Sequence, residues 1–327
     1  MKTYQVVGIG NAIVDVIAQC DDAFLARMGI EKGIMQLIER ERAEELYAAM
    51  GERTQAAGGS VGNTIAGIGN LGLRTAYIGR VRDDVLGRFY DAALAGEGTD
   101  FPNKPIAAAD LPTSRSMIFV TPDGERSMNT YLGISAEVST EDVPLEVVES
   151  CEFLFLEGYL FDKDHGKAAF LKAAQAVRRT GGQAGISLSD PFCVDRHRDS
   201  FRRLLRDEMN YVIGNEREWE SLYQTDLDSA LAQAAAECDL VVCTRGGTDV
   251  VLIRGAERVE VPVHRVTPVD TTGAGDQFAA GFLYGYATGR PLEVAGRMGC
   301  IAAAEVISHF GARPETDIGA LFRAQGL

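Results

Sequence analysis

Seven residues, Asp270-Thr271-Thr272-Gly273-Ala274-Gly275-Asp276, carry the densest potential for chemistry in this sequence. They precede Phe278, Phe282 and Tyr286, an apolar stripe at helical spacing. A glycine-rich helix start presents unpaired backbone N–H groups and the positive end of the helix dipole, which together form an anion hole. Asp276 falls in the first turn, where the dipole favours its charged form. A carboxylate beside an anion hole can take a proton from a hydroxyl while the hole holds a transferring phosphoryl group. The candidates are therefore Asp276 as general base and the N–H groups of Gly273, Ala274 and Gly275 as phosphoryl ligands. The plainer alternative is an acid that merely caps a helix.

Three other motifs compete. Gly58-Gly59-Ser60-Val61-Gly62 fits the G-x-S-x-G nucleophile elbow, with Asp190 and His264 as downstream partners. It follows only a weak strand, Thr54–Ala57, so an α/β-hydrolase using Ser60 is an outside alternative. Gly67-Ile68-Gly69-Asn70-Leu71-Gly72 matches G-x-G-x-x-G but closes a helical stretch and precedes a strand, the reverse of the dinucleotide order. His197-Arg198-Asp199 mimics a protein-kinase triplet, yet Leu204 stands where that motif needs Asn. The chain has no P-loop.

Asp270–Asp276 with the following Gln277-Phe278-Ala279-Ala280-Gly281-Phe282 resembles the C-terminal signature of the ribokinase and phosphofructokinase-B family of carbohydrate and nucleoside kinases. Gly58–Thr64 resembles that family's N-terminal signature, in which glycines approach the substrate and an Asn contacts its hydroxyls. The resemblance implies substrate contacts from Gly59, Ser60 and Asn63, and from Asn11 and Asp15 of Gly10-Asn11-Ala12-Ile13-Val14-Asp15. It implies Mg²⁺ and phosphate placement by Asn215-Glu216-Arg217-Glu218, with Glu218 reaching Mg²⁺ through water. Thr244-Arg245-Gly246-Gly247 is similar to the nucleotide-side turn, which makes Thr244 and Gly246 nucleotide contacts. Arg126 occupies the place of a lid arginine that reaches the transferred phosphate. Some relatives bind K⁺ beside the anion hole, for which Asp270 and the His309-Phe310-Gly311 turn are the candidates. ATP and Mg²⁺ are thus the expected cofactors.

The substrate implied is a nucleoside, adenosine first, because Gly-Asn-x-x-x-Asp and the long stretch Asp21–Glu41 resemble adenosine kinases more than ribokinases. A ribose- or fructose-like sugar is the alternative. Met35, Leu37 and Ile38, with Met117 and Phe119, are expected to cover a purine ring.

The elements that must position these residues are legible as short apolar runs alternating with helical patterns. Tyr4–Gly10, Thr75–Gly79, Phe153–Glu157, Gln183–Ser187, Tyr211–Ile213 and Leu240–Cys243 read as buried parallel strands. Lys167–Arg179, Arg198–Arg206 and Asp228–Glu237 read as helices. Together they predict a doubly wound α/β fold of the ribokinase-like kind. Ile13–Cys20, Gly33–Ile38 and the hairpin Ser114–Thr121/Arg126–Leu132 break that rhythm and predict a small discontinuous β lid. Residues 13–39 and 113–133 form the expected lid, and residues 1–12, 40–112 and 134–327 the core.

The net charge of −15 repels nucleic acid and anionic membranes. No apolar run approaches the length of a membrane span, the start lacks a signal-peptide pattern, and the six cysteines form no C-x-x-C pair. A cytoplasmic enzyme acting on a small molecule is expected. An exposed lid edge could pair with a second subunit, so either a monomer or a homodimer is consistent.

Overall fold

The computed structural model describes residues 2–327. Its strands, in chain order, are β1 (Tyr4–Ile9), β2 (Ile13–Gln19), β3 (Met35–Leu37), β4 (Thr54–Gly58), β5 (Thr75–Ile78), β6 (Thr99–Asp100), β7 (Ser114–Val120), β8 (Arg126–Tyr131), β9 (Cys151–Glu157), β10 (Gln183–Ser187), β11 (Tyr211–Asn215), β12 (Leu240–Arg245), β13 (Thr248–Arg254) and β14 (Glu257–Val261).

Apolar runs such as Val241–Cys243 and Leu154–Leu156 are buried because helices cover both faces of the sheet they build. That sheet has nine strands in the order β14-β13-β12-β11-β10-β9-β1-β5-β6. Its pairings are parallel from β12 to β6, and β13 and β14 add an antiparallel edge. Two large apolar clusters lie on its faces. Glu157, Ser187 and Asn215 end three neighbouring parallel strands, and Thr244 lies next to the end of the fourth. The carboxyl edge of an open α/β sheet is where such folds place their ligands.

The second sheet has five strands in the order β3-β8-β7-β2-β4. It contains β4, although residues 40–112 are expected in the core. Thr54-Gln55-Ala56-Ala57-Gly58 has a single β-branched residue and so a weak intrinsic strand signal. Pairing with β2, which no local pattern reveals, makes it the edge strand.

Register decides what this sheet shows to the core. Asp15 pairs with Ser116 and Ala56, and Ser116 with Thr130. Ile17 pairs with Ile118, and Ile118 with Met128. Paired residues share a face. One face thus carries Asp15, Ile17, Ile118, Met128 and Arg126, with Met35 and Leu37 beside them on β3. Met117 and Phe119, expected on that face, point the opposite way. They are buried with Leu25, Ala43 and Leu46, and Phe119 lies 5.2 Å from the Phe24 ring. A one-residue error in reading a strand exchanges its faces.

Candidate active site

Gly273 caps the helix Ala274–Ala287 in the left-handed region, φ 78°. A Cβ there would lie 2.7 Å from Cα of Ala312, so the glycine makes room for the 307–316 segment. Gly275, by contrast, faces open space within 4 Å of its missing Cβ. Ala274 N–H donates to the Thr271 carbonyl at 3.2 Å. The N–H groups of Gly273, Gly275 and Asp276 have no acceptor among the described residues. The free donors expected at Gly273, Ala274 and Gly275 are therefore found at Gly273, Gly275 and Asp276.

Asp276 is the third residue of this helix. The hydroxyl of Ser60 donates to its Oδ1 at 2.7 Å, and Nδ2 of Asn63 donates to its Oδ2 at 2.9 Å. Both donors sit on the helix Ser60–Asn70, which packs against the Asp276 helix. Thr64 Oγ1 ties the two by donating to the Asp276 carbonyl at 3.0 Å. Gly67 permits the approach, since a Cβ there would meet Gln277 and Ala280 at under 3 Å. Burial raises the Asp276 pKa, while the hydrogen bonds from Asn63 and Ser60 and the charge of Arg313 oppose the rise.

The strand–turn–helix setting of Ser60 does match a nucleophile elbow, with Gly59 at φ 90°. The hydrolase alternative fails on the partner instead: the Ser60 hydroxyl is spent on Asp276, and no histidine among the described residues is hydrogen-bonded to it. Gly59 has a structural cause, because a Cβ would fall 2.1 Å from the Asn11 carbonyl oxygen.

The half-buried Asp15 carboxyl has no hydrogen-bond partner among the described residues. Burial raises its pKa to about 7 against the pull of Arg126 and Arg313. Gly58 gives it room, since a Cβ at that position would lie 2.5 Å from Oδ2. Asn11, expected beside it as a substrate ligand, is only 2% exposed and its amide is committed. Nδ2 donates to Glu157 at 2.7 Å, and Oδ1 accepts from Ser135.

Arg126 leaves the smaller sheet and meets Asp270 of the core at 2.5 Å. Asp270 also accepts from Thr272 N–H, Thr272 Oγ1 and Gly311 N–H. With four donors on it, the Asp270 side chain offers no place for a cation. Its expected role as a K⁺ ligand does not fit this arrangement.

A cleft of about 150 Å³ is lined by Ser60, Ser187, Asn215, Glu218, Thr244, Gly275 and Asp276. A larger groove of about 360 Å³ lies between the helices Asp164–Arg179 and Pro191–Glu208 and shares none of these residues. Gly246 sits in the exposed β12–β13 turn, outside the cleft lining. Glu218 folds back on its own helix cap: Asn215 N–H and Nδ2 donate to its oxygens at 2.8 and 2.6 Å. Burial raises its pKa to about 7. No group of three or more His, Cys, Asp or Glu among the described residues could cage a metal. Asn215 and Glu218 line the cleft, where a Mg²⁺ ion that keeps its own waters would fit without direct carboxylate ligands.

Sequence reading missed Glu157, Gln277, Ser187 and Ser189 of this network, and with them Arg313, whose Nε donates to Asn63. Glu157 is 1% exposed and accepts from Asn11 N–H, Asn11 Nδ2 and Val61 N–H, with its pKa raised by burial to about 7. Gln277 donates to the Asn63 and Ala312 carbonyls. Ser187 lines the cleft, and Ser189 does so at φ 70°. Only Gln277 left a signal, as part of the signature itself.

Residues 30–318 match the model of the pfkB family carbohydrate kinases. A probable sugar kinase protein from Rhizobium etli is 45% identical, with TM-score 0.91, over 100% of this chain and 99% of that one. An adenosine kinase from Sinorhizobium meliloti is 46% identical, with TM-score 0.89, over 98% and 99%. A guanosine-inosine kinase from Escherichia coli is 27% identical over 74% of this chain and 58% of its own.

Proposed function

The chain belongs to the PfkB family of carbohydrate kinases, and from that premise we propose that it phosphorylates the primary hydroxyl of a nucleoside, adenosine before others. The observation that carries this reading is the face of the smaller sheet that looks into the cleft. Asp15, with open acceptor positions, lies on it among Ile17, Met128, Met35 and Leu37, while Ile118 on the same face is already buried. A carboxylate suits ribose hydroxyls. The apolar row suits a base, and each Å² of apolar surface it removes from water stabilises by about 25 cal/mol. Met35 and Leu37 are 50% and 57% exposed, which is surface left for a partner to cover. The likeness to the adenosine kinase at 46% identity supports the same reading.

Asp276 takes the proton of the attacking hydroxyl. Its raised pKa makes it a better acceptor than an ordinary Asp while Ser60 and Asn63 keep it aimed. The N–H groups of Gly273 and Gly275 face the charge that develops on the phosphoryl oxygens. Glu218, Asn215 and Thr244 line the nucleotide side. Mg²⁺, when bound with ATP, neutralises phosphate charge. Arg126 would have to exchange Asp270, which it meets through Nη1 alone while its Nε is unpaired among the described residues, for phosphate to act as a clamp.

A sugar substrate is the second reading, and the Rhizobium etli likeness favours it. The test is a side-by-side measurement of kcat/KM for adenosine, inosine, ribose and fructose with MgATP. Adenosine is expected to lead. A clear preference for ribose or fructose overturns the nucleoside assignment and leaves the kinase assignment intact.

A further inference from the structure

Arg313 lies in the coil that joins the last two helices, outside every motif that marks the family signature. Its guanidinium is spread over three elements. Nε donates to Oδ1 of Asn63 at 2.9 Å, Nη1 to Oε2 of Glu97 at 2.6 Å, and Nη2 to the Ala57 carbonyl at 3.0 Å. The side chain is 17% exposed.

A primary amide has one accepting and one donating end, and a guanidinium only donates. With Arg313 on Oδ1, the amide of Asn63 cannot rotate by 180° without setting NH₂ against N–H. Its Nδ2 is therefore obliged to face Asp276. The orientation of that amide is the one that satisfies the whole network. Arg313 also brings a positive charge to a cleft crowded with acids. The ionisable groups around Asp276 are Asp15 from β2, Glu157 and Tyr159 at and just beyond the end of β9, and Arg313. Arg313 is the cation that offsets the burial of Asp276.

We propose that Arg313 is a positioning residue for Asp276, acting through Asn63: it holds the amide that aims the base and supplies the charge that keeps the base ionised. This rests on the reading of Asp276 as the base.

The test is steady-state kinetics of the full-length enzyme against pH, for Arg313→Met, Arg313→Lys and Glu97→Gln. Arg313→Met is expected to lower kcat roughly tenfold or more while KM for ATP stays within about twofold. Its acid limb should move up by about one pH unit, because burial is no longer offset. Arg313→Lys keeps the charge and loses the fork, so it should restore the acid limb but recover kcat only in part. Glu97→Gln relieves the far side of Arg313 and should leave the limb in place. In an Asn63→Ala background, Arg313→Met should add little to the loss of kcat, since the two act as one unit.

An unmoved acid limb in Arg313→Met overturns the proposal, as does a loss that adds in full to that of Asn63→Ala. If Arg313→Met fails to fold, Arg313→Lys alone decides: a wild-type kcat sinks the idea. Failure of the base reading is a separate event, seen as near-wild-type turnover by Asp276→Asn.

Discussion

Two helices begin at this cleft with an acid at the same position, and the two acids have different fates. Glu218 is the third residue of the helix Glu216–Tyr223, and Asp276 the third of Ala274–Ala287. The first helix is capped by Asn215, whose side chain and Glu218 form a reciprocal capping box. The second is capped by Gly273, which has no side chain with which to form one. Glu218 is consequently spent on its own backbone. Asp276 is left free of its own helix and is held by Ser60 and Asn63 from another. A glycine cap thus does two things: it leaves N–H groups without an acceptor, and it leaves the acid behind it unclaimed by its own helix.

The comparison is tested most severely at Asp276. Asp276→Asn is expected to lower kcat by about 10²–10⁴-fold or more, because the amide cannot accept the proton. Its melting temperature should stay near that of the wild type. Turnover close to wild type would put both acids on the same footing and break the contrast.

Glu218→Gln should behave in the opposite sense. The substitution leaves one donor of the box without an acceptor and should cost about 0.5–2 kcal/mol of stability. The fall in kcat should be far smaller than for Asp276→Asn. Denaturant unfolding and steady-state kinetics on the same preparation decide it. A loss of kcat as deep as that of Asp276→Asn would make Glu218 a participant and not a cap.

The smallest expected effect is in pH dependence. The folded pKa of Glu218 lies near 7, above its ordinary value of about 4.3. The folded state therefore holds this proton longer than the unfolded chain does. The associated stability is full below the unfolded value and is lost as pH rises towards 7. The Gln variant lacks this dependence. Its deficit in melting temperature relative to wild type should narrow between pH 5 and pH 8, and a deficit that widens over that interval contradicts the assignment.

How far the sequence reached differs between the two sheets. The parallel strands of the large sheet other than the two-residue β6 are legible, because burial on both faces writes continuous apolar runs such as Val241-Val242-Cys243. In the smaller sheet β4 reads only as a weak strand with nothing local to tie it to β2, and Met117 and Phe119 take the face opposite to that of Ser116 and Ile118. Here one side of the sheet packs on helices and the other on a partly apolar cleft, so hydrophobicity alone cannot assign the faces.

By itself the sequence determined the family signature, the glycine-rich start of the Asp276 helix and the acids that could serve there, because these depend on residues adjacent in the chain. Tertiary structure alone decided which of them are free. Asn11 is claimed by Glu157 and Asp270 by Arg126, whereas the Asp15 carboxyl has no partner among the described residues. Two of these partners stand more than 140 positions away, and Arg313 meets Asn63 across 250. A hydrogen bond is satisfied by whatever the fold brings within about 3 Å. Separation along the chain says nothing about that distance, so the commitments of these side chains could be read only once the chain had closed on itself.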